Sequence, residues 1–216
     1  MPAYRLAIFD LDGTLVDSFP WFLQVVNDVA REFGFRTVAP DDVAGLRRAG
    51  AREILKHLGV PLWKVPHIAT RMRAMKREHL RDIPLFPGVP EMLRALRDGG
   101  IEIALVSSDS EANARAQLGD STGCFSDFAC GASLFGKAAK FKRTVRRAGI
   151  RTSDVIAIGD EMRDFDAAAA ARLAFGGVAW GYADPDTLRA RHPQAWFESV
   201  ADIPRMLTAG ETMLRR

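Results

Sequence analysis

The 216-residue sequence predicts an α/β fold, in which a doubly wound, Rossmann-like parallel sheet carries an inserted all-helical cap. Short apolar runs of strand length recur along the chain, and helical patterns separate most of them. The gap between the first two runs is much longer than one crossover helix requires. These three observations predict a layered core with an additional subdomain after its first strand.

The predicted strands are short, continuous runs of apolar side chains. Such runs are typical of strands that are buried on both faces of a parallel sheet. We expect strands at Leu6–Phe9, Ile101–Val106, Val155–Ile158 and Ala174–Ala179, with Phe128–Cys130 as a fifth candidate.

Helical patterns with glycine stop signals lie between these runs. One helix is expected to begin after Gly88 and to end at Gly99, and another is expected to begin at Lys137 and to end at Gly149. Alternation of strand and helix along the chain is the pattern of a doubly wound sheet.

The inserted segment follows the first strand. About 90 residues separate Asp10 from Ile101, whereas a whole strand–helix–strand unit needs about 30. We therefore expect residues 17–83 to form the cap, and residues 1–16 together with 84–216 to form the core.

The cap is expected to be helical throughout. Ser18 as a cap, Pro20 in the first turn and apolar residues at helical spacing as far as Phe33 predict a strong amphipathic helix. Further helical patterns cover residues 41–58 and 64–81. The cap would lie beyond the carboxyl end of the first strand, where ligands bind in open α/β sheets.

Composition and charge exclude several classes of protein. The net charge of +3 is too small to indicate nucleic-acid binding, and no apolar segment is long enough to cross a membrane. No secretory signal is visible, so we expect a cytoplasmic protein with Cys124 and Cys130 as reduced thiols. The four histidines are scattered and receive no chemical role. Nothing in the sequence indicates an oligomeric state.

The positive charge is concentrated in the predicted cap. Residues 41–82 hold ten basic and five acidic side chains, a net charge of +5, whereas the rest of the chain sums to −2. We interpret most of these charges as solvated helix faces and a few as attraction for an anionic substrate.

Two acids follow the first predicted strand in the segment Asp10–Leu11–Asp12–Gly13–Thr14. Two carboxylates so close to an apolar strand repel each other unless a cation or a proton relieves them. A divalent ion with oxygen ligands, and Mg²⁺ above all, supplies that relief.

A second acidic cluster follows the Val155–Ile158 run and contains Asp160 and Asp164. In a doubly wound sheet this strand end lies beside the first one, so both acids can converge on the cation of Asp10. A capped helix start is the structural alternative.

Hydroxyl groups follow the second predicted strand. Ser107 is the first residue beyond the apolar run, where a helix N-terminus can hold a phosphate. Ser108 and Glu111 match a capping box, which gives Ser108 a structural role beside its candidacy as a substrate contact.

Lys137 is placed at a helix start, where a positive charge does not help the helix. Neutralisation of an anion is therefore a plausible role for it, and Lys140 is the competitor one turn later. Residues 131–137 also match a nucleotide-binding Walker A loop except at its last position, where Ala138 has no hydroxyl for a metal. We interpret that match as fortuitous.

These four motifs, in this order, resemble those of the haloacid dehalogenase-like hydrolase superfamily over the whole chain. The residues are DLDGT at 10–14, Ser107, Lys137 and GDExRD at 159–164. The inserted helices resemble the cap of the phosphoglycolate phosphatases and β-phosphoglucomutases in that superfamily.

The resemblance implies a Mg²⁺-dependent phosphatase acting on a small phosphorylated metabolite, through an aspartyl-phosphate. Asp10 would be the nucleophile and Asp12 the general acid and base. The metal would be held by the Asp10 side chain, the Asp12 backbone carbonyl and Asp160, with Asp164 supporting them. Ser107 and Lys137 would bind the transferring phosphoryl group.

Substrate contacts are predicted at Thr14 and Ser108 in the core and at Arg47, Arg48 and Arg52 in the cap. Asp109 departs from the resemblance, since many relatives have Asn there. This departure leaves the particular substrate open among small phosphorylated acids, sugar phosphates and nucleotides, with phosphoglycolate-like substrates slightly favoured.

Alternatives remain in three classes. A sugar phosphomutase of the same superfamily shares all four motifs, and a non-catalytic relative could bind a phosphometabolite without turning it over. A P-loop NTPase is disfavoured by Ala138. The dehalogenases and phosphonatases of the superfamily lack an acid at the position of Asp12, so its presence favours phosphate-ester chemistry.

Overall fold

The computed structural model describes residues 4–131 and 136–208 of the chain. Its sheet has six strands, and every neighbouring pair is parallel. The strands are β1 (Leu6–Phe9), β2 (Glu102–Val106), β3 (Asp127–Ala129), β4 (Val155–Gly159), β5 (Ala174–Val178) and β6 (Ala195–Phe197).

The order of the strands is β3-β2-β1-β4-β5-β6, which places β1 at the centre of the sheet. From β1 the sheet grows in one direction through β2 and in the other through β4. Helices cover both faces, and their apolar side chains form two buried clusters against the sheet. The predicted doubly wound α/β architecture is confirmed.

Five of the six strands coincide with the predicted runs to within one residue at each end. The sixth, β6, was absent from the prediction. It contains three residues and lies just after Pro193, so neither its length nor its surroundings give a strand pattern.

Ten α-helices surround the sheet in the described residues. Four lie between β1 and the core helix that precedes β2, namely α1 (Phe19–Phe33), α2 (Val43–Arg48), α3 (Ala51–His57) and α4 (Val65–Glu78). The others are α5 (Val89–Asp98), α6 (Glu111–Leu118), α7 (Lys137–Ala148), α8 (Met162–Ala171), α9 (Pro185–Arg189) and α10 (Asp202–Thr208).

The predicted stops of two helices are confirmed. Helix α5 ends against Gly99, and α7 ends against Gly149, whose φ of 66° is in the left-handed region that favours glycine. Helix α1 likewise spans the predicted amphipathic segment.

The helices α1 to α4 pack partly around apolar residues of their own. Val26, Val38, Leu58, Val60 and Val65 form a small buried cluster separate from the two sheet clusters. The two connections to the sheet run side by side, since Val16 pairs with Leu85 and the Asp17 amide donates to the Pro84 carbonyl. The division into a cap at 17–83 and a core remains a prediction that this pairing favours.

Of two predicted caps, Ser18 is confirmed in its position and the capping box of Ser108 and Glu111 is wrong. Ser18 is at the N-cap of α1, but its hydroxyl makes no cap hydrogen bond and instead donates to Asp12. Helix α6 begins one residue after Ser110, whose hydroxyl accepts from the Asn113 amide, so Ser108 and Glu111 form no capping box.

Cys124 and Cys130 are free thiols, both half-buried. Burial raises the pKa of Cys130 to about 11. No helix within residues 4–131 and 136–208 combines the length and the hydropathy that a membrane span requires.

Candidate active site

Asp10 leaves the central strand β1 at its carboxyl end and is almost fully buried. Its Oδ1 lies 2.8 Å from Lys137 Nζ. Its Oδ2 is buried too, and no donor within the described residues reaches it. One carboxylate oxygen of Asp10 is thus held by a cation, and the other has no hydrogen-bond partner.

Two further acids follow β4, the neighbour of β1. Asp160 and Asp164 are each 1% exposed. One carboxylate oxygen from each of Asp10, Asp160 and Asp164 lies within 4.8 Å of the other two. The pairing of β1 with β4 brings these strand ends together, as the sequence predicts.

Asp160 is fixed by two hydrogen bonds. The Thr14 hydroxyl donates to its Oδ1 at 2.7 Å, and the Tyr182 amide donates to its Oδ2 at 2.8 Å. Gly13 passes beside the same carboxylate with a φ of 79°, and a Cβ on Gly13 would collide with it. The glycine of the DLDGT segment is therefore required both for its backbone conformation and for space.

The acidic cluster is electrostatically strained. Burial, followed by repulsion from Glu161 and Asp164, raises the pKa of Asp160 well above its ordinary value. Burial also raises the pKa of Asp10, although attraction to Lys137 opposes it. A cation among these oxygens would remove the repulsion.

The structure distinguishes between the two candidate lysines. Lys137 Nζ lies 2.6 Å from Asp164 Oδ1 and also contacts Asp10, whereas Lys140 Nζ donates to the backbone carbonyls of Ser107 and Gly131. Lys137 is therefore the lysine at the acidic cluster. Most of the Walker A match, residues 132–135, lies outside the described residues.

The Asp12 carboxylate is held by a residue of α4 and by the N-cap residue of α1. Its Oδ1 accepts from Lys76 Nζ at 2.5 Å and from the Ser18 hydroxyl at 2.6 Å. The Ser18 hydroxyl has a single proton, which goes to Asp12, so Tyr182 donates to Ser18. Burial raises the pKa of Asp12, but attraction to Lys76 and the two hydrogen bonds outweigh it and bring the pKa below its ordinary value.

Lys76 is a site residue that the sequence did not reveal. It lies on α4 and is only 3% exposed, and its Nζ also contacts Asp109 Oδ2 at 2.7 Å. Asn113 supports the same carboxylate from α6. Because Lys76 is one of ten basic residues in a basic helical region, its sequence context gave no sign of burial.

The two serines after β2 lie at the same sheet edge as Asp10. Ser107 is buried, and its Oγ accepts from the Asp109 amide at 3.0 Å. The Ser108 carbonyl accepts from Arg73 of α4 at 3.2 Å. The pairing of β2 with β1 therefore brings Ser107 to the strand end next to that of Asp10, and Ser108 contacts helix α4.

The three predicted cap arginines do not gather at the acids. Arg47 donates to the backbone carbonyls of Gly181, Tyr182 and Ala183, and Arg48 pairs with Asp184 at 3.4 Å. Arg52 is exposed on α3. Thr14, also predicted to contact substrate, instead donates its hydroxyl to Asp160. Three cationic side chains at other positions, Arg73, Lys76 and Arg163, line the space beside Asp12.

A cavity of about 530 Å³ lies between the cap helices and this site. Asp12, Lys76, Ser108 and Asp109 line it at the end near the sheet. The rest of its wall is mostly apolar and comes from α1, α3 and α4. The arrangement as a whole provides a buried carboxylate with one unpartnered oxygen, a second acid that lines a cavity, a lysine and an acidic cluster suited to a divalent cation.

Comparison with known proteins gives the same result as the motifs. The model of the haloacid dehalogenase-like hydrolase family matches residues 7–178. A phosphoglycolate phosphatase of Synechococcus elongatus is 32% identical over 203 residues, which cover 93% of this chain and 96% of that protein. A phosphoglycolate phosphatase of Chromobacterium violaceum is also 32% identical, over 95% of this chain and 97% of that protein.

The fold is shared with solved structures at lower identity. A haloacid dehalogenase-like family hydrolase from Streptococcus pneumoniae superposes with a TM-score of 0.76 at 16% identity, covering 93% of this chain and 97% of that one. The chain therefore belongs to the haloacid dehalogenase-like hydrolases, in the phosphatase group that includes the phosphoglycolate phosphatases.

Proposed function

We propose that this phosphatase hydrolyses a small phosphate monoester through an aspartyl-phosphate on Asp10, with Mg²⁺ as cofactor. The observation that carries the proposal is the Asp10 carboxylate itself. It is buried at the end of the central strand, one oxygen is held by Lys137, and the other has no hydrogen-bond partner within the described residues. An oxygen so placed is suited to attack phosphorus.

The first half of the reaction transfers the phosphoryl group to Asp10. The carboxylate oxygen forms a bond to phosphorus while the bond to the ester oxygen breaks. Because the lowered pKa of Asp12 favours its carboxylate, Asp12 must first take up a proton from solvent, which it then gives to that leaving oxygen. Asp12 faces the cavity, so the leaving group would lie there.

The second half hydrolyses the aspartyl-phosphate. Asp12, now a carboxylate, takes a proton from the attacking water, and inorganic phosphate leaves Asp10. The lowered pKa of Asp12 favours its carboxylate form, and the bonds from Lys76 and Ser18 fix its orientation.

The oxygens present fit a Mg²⁺ ion. Asp10, Asp160 and Asp164 contribute carboxylate oxygens that cluster within 4.8 Å, and the raised pKa values of Asp10 and Asp160 reflect burial and repulsion that such an ion would offset. We expect the Asp10 and Asp160 side chains and the Asp12 carbonyl to hold the ion, with Asp164 supporting them. When bound, the ion neutralises charge on the phosphoryl oxygens.

Lys137 and Ser107 are proposed to bind the transferring phosphoryl group. Attraction to Asp10 and Asp164 outweighs the effect of burial and raises the pKa of Lys137, so this lysine stays protonated as a point charge. In this proposal the Thr14 hydroxyl positions Asp160 and does not contact the substrate.

The test is phosphate release from a panel of phosphometabolites and an aryl phosphate, in Mg²⁺ and in EDTA. We expect release that depends on Mg²⁺ and that Asp10→Asn lowers at least about a thousandfold while leaving the fold intact. Asp98→Asn, an exposed acid on α5, is the matched control.

Each other outcome has a definite meaning. Full activity of Asp10→Asn would remove it as nucleophile, and unchanged rates in EDTA would remove the metal. Retention of the phosphoryl group on an organic product would identify a phosphomutase instead.

A further inference from the structure

The cavity beside Asp12 is too large to be a packing defect. Well-packed interiors contain few voids larger than a water molecule, whereas ligand pockets measure about 300–1,000 Å³. The volume of about 530 Å³ lies within that second range. Because Asp12 lines the cavity and is the proposed proton donor to the leaving oxygen, the alcohol part of the substrate has this space to occupy.

The wall of the cavity is apolar beyond its end at the sheet. Helix α1 contributes aromatic and branched side chains, α3 contributes Leu55, Leu58 follows α3, and α4 contributes a methionine. The apolar side chains that line this wall include Trp21, Phe22, Val26, Leu55, Leu58 and Met72. A second cavity, of about 260 Å³, shares Phe22, Val26, Leu55 and Leu58 with the first, so apolar space lies on both sides of these residues.

The charges at the sheet end of the cavity are already balanced. Lys76 lies between two carboxylates, those of Asp12 and Asp109, and Arg163 pairs with Glu161 at 2.5 Å. Arg73 donates to the Ser108 carbonyl and to the Thr70 hydroxyl. Lys76 and Arg163 thus face the three acids Asp12, Asp109 and Glu161, whereas Arg73 contacts neutral oxygens. The six groups together have no net charge, so the region has no excess of positive charge for a second anionic group on the substrate.

From this geometry we infer a substrate class: phosphate monoesters of apolar alcohols, whose carbon skeleton fills the cavity between α1, α3 and α4. The inference rests on the proposed function, since it assigns the leaving group of that reaction. The ester P–O bond breaks, Asp12 protonates the alcohol oxygen, and water supplies the oxygen that ends in phosphate. An ester of a small hydroxy acid would leave the apolar wall uncovered.

The experiment compares kcat/KM for a series of n-alkyl phosphates, from methyl to octyl, with that for phosphoglycolate. Burial of each methylene predicts a rise of up to about fourfold in kcat/KM, until the cavity is full. We expect octyl phosphate to exceed methyl phosphate by at least a hundredfold and to exceed phosphoglycolate as well.

A pair of variants locates the effect in the cavity. Ala69 of α4 lines the cavity, whereas Ala44 of α2 is exposed and lines neither cavity. Ala69→Phe should reduce the octyl-to-methyl ratio of kcat/KM at least tenfold, because the added ring occupies the space. Ala44→Phe, the same substitution on the cap surface, should leave that ratio unchanged.

The outcomes separate this inference from the proposed function. A flat series with phosphoglycolate as the best substrate would overturn the substrate class and leave the phosphatase mechanism standing. Equal ratios in Ala69→Phe and Ala44→Phe would exclude the cavity as the source of any chain-length preference. Failure to hydrolyse any ester in Mg²⁺ would overturn the proposed function, and the substrate class with it.

Discussion

Lys76 links helix α4 to the residues that follow β1 and β2 through two buried ion pairs. Its ammonium group is buried between Asp12 and Asp109, and attraction to these two acids outweighs the effect of burial and raises its pKa. A buried charge is tolerated only when it is paired, and removal of one partner leaves the others uncompensated.

We therefore predict that Lys76→Met destabilises the protein by about 3–5 kcal/mol, because two buried carboxylates lose their cation. Urea unfolding measures this loss, and hydrolysis should fall as well, since Asp12 loses the group that orients it. Lys56→Met, at an exposed position on α3, should change the free energy of unfolding by less than about 0.5 kcal/mol. Equal stability of the two variants would contradict the buried ion pairs.

Loss of the Asp160 charge should stabilise the protein in the absence of metal, whereas loss of the Lys76 charge should destabilise it. Its pKa is raised well above the ordinary value, so the folded protein holds this proton more tightly than the unfolded chain does. The stabilisation that follows is fully present below the ordinary pKa of about 3.9 and is lost as the pH rises through the folded-state pKa.

In EDTA at pH 7.5, Asp160→Asn should accordingly raise the melting temperature, and the gain should shrink as the pH falls toward 4. The amide can still accept from the Tyr182 amide and donate to the Thr14 hydroxyl. Mg²⁺ should stabilise the wild-type protein and not the variant. A lower melting temperature for the variant in EDTA would contradict electrostatic strain at the cluster.

Sequence reasoning succeeded for the residues that have a fixed place relative to a strand. Asp10, Asp160 and Ser107 each follow a predicted strand, and Lys137 begins a predicted helix, so the topology brings them to one edge. Lys76 and the predicted cap arginines have no fixed place relative to a predicted strand. Which cap side chain turns inward depends on how α4 packs on the core, and the sequence of a basic amphipathic helix does not determine that.

At the scale of elements, the start of α6 shows how a local signal can be ambiguous. The segment Ser107–Glu111 offers three serines as candidate caps, and a spacing rule favours Ser108 because of Glu111. In the structure the Asp109 side chain accepts from the Ser110 amide, and Ser110 caps the helix. The same Asp109 side chain also contacts Lys76, a tertiary contact that no spacing rule takes into account.

Ser110→Ala should therefore cost about 1 kcal/mol of stability, because the Asn113 amide loses its acceptor. Ser108→Ala should cost clearly less, since the backbone carbonyl of Ser108, and not its hydroxyl, makes the contact with Arg73. Urea unfolding of both variants under the same conditions checks the order. The reverse order would restore Ser108 as the cap.

Strands were predicted better than helix starts for a physical reason. A central parallel strand is buried on both faces, so every one of its side chains must be apolar and the run is visible in the sequence. Strand β6 is at the edge of the sheet and contains only three residues, so its pairing with β5 depends on the sheet that is already there.

At the scale of the whole molecule, the order of the strands determines where chemistry can occur. The chain grows outward from β1 in both directions, so the ends of β1, β2 and β4 meet at the middle of one edge. The motif spacing was sufficient to predict this arrangement. The shape of the space above it was not predictable, because the cavity results from the mutual packing of α1, α3 and α4.

The central position of β1 also has a consequence for the order in which the molecule opens. Ile8 and Phe9 pair with β2 on one side and β4 on the other, whereas β3 and β6 each have a single neighbour. Amide hydrogens of β1 should therefore exchange with deuterium only through global unfolding, while those of β3 and β6 exchange through local fraying. The strand that leads into Asp10 would then stay intact in every partly opened state, so that a protein with frayed edges keeps the base of its candidate site.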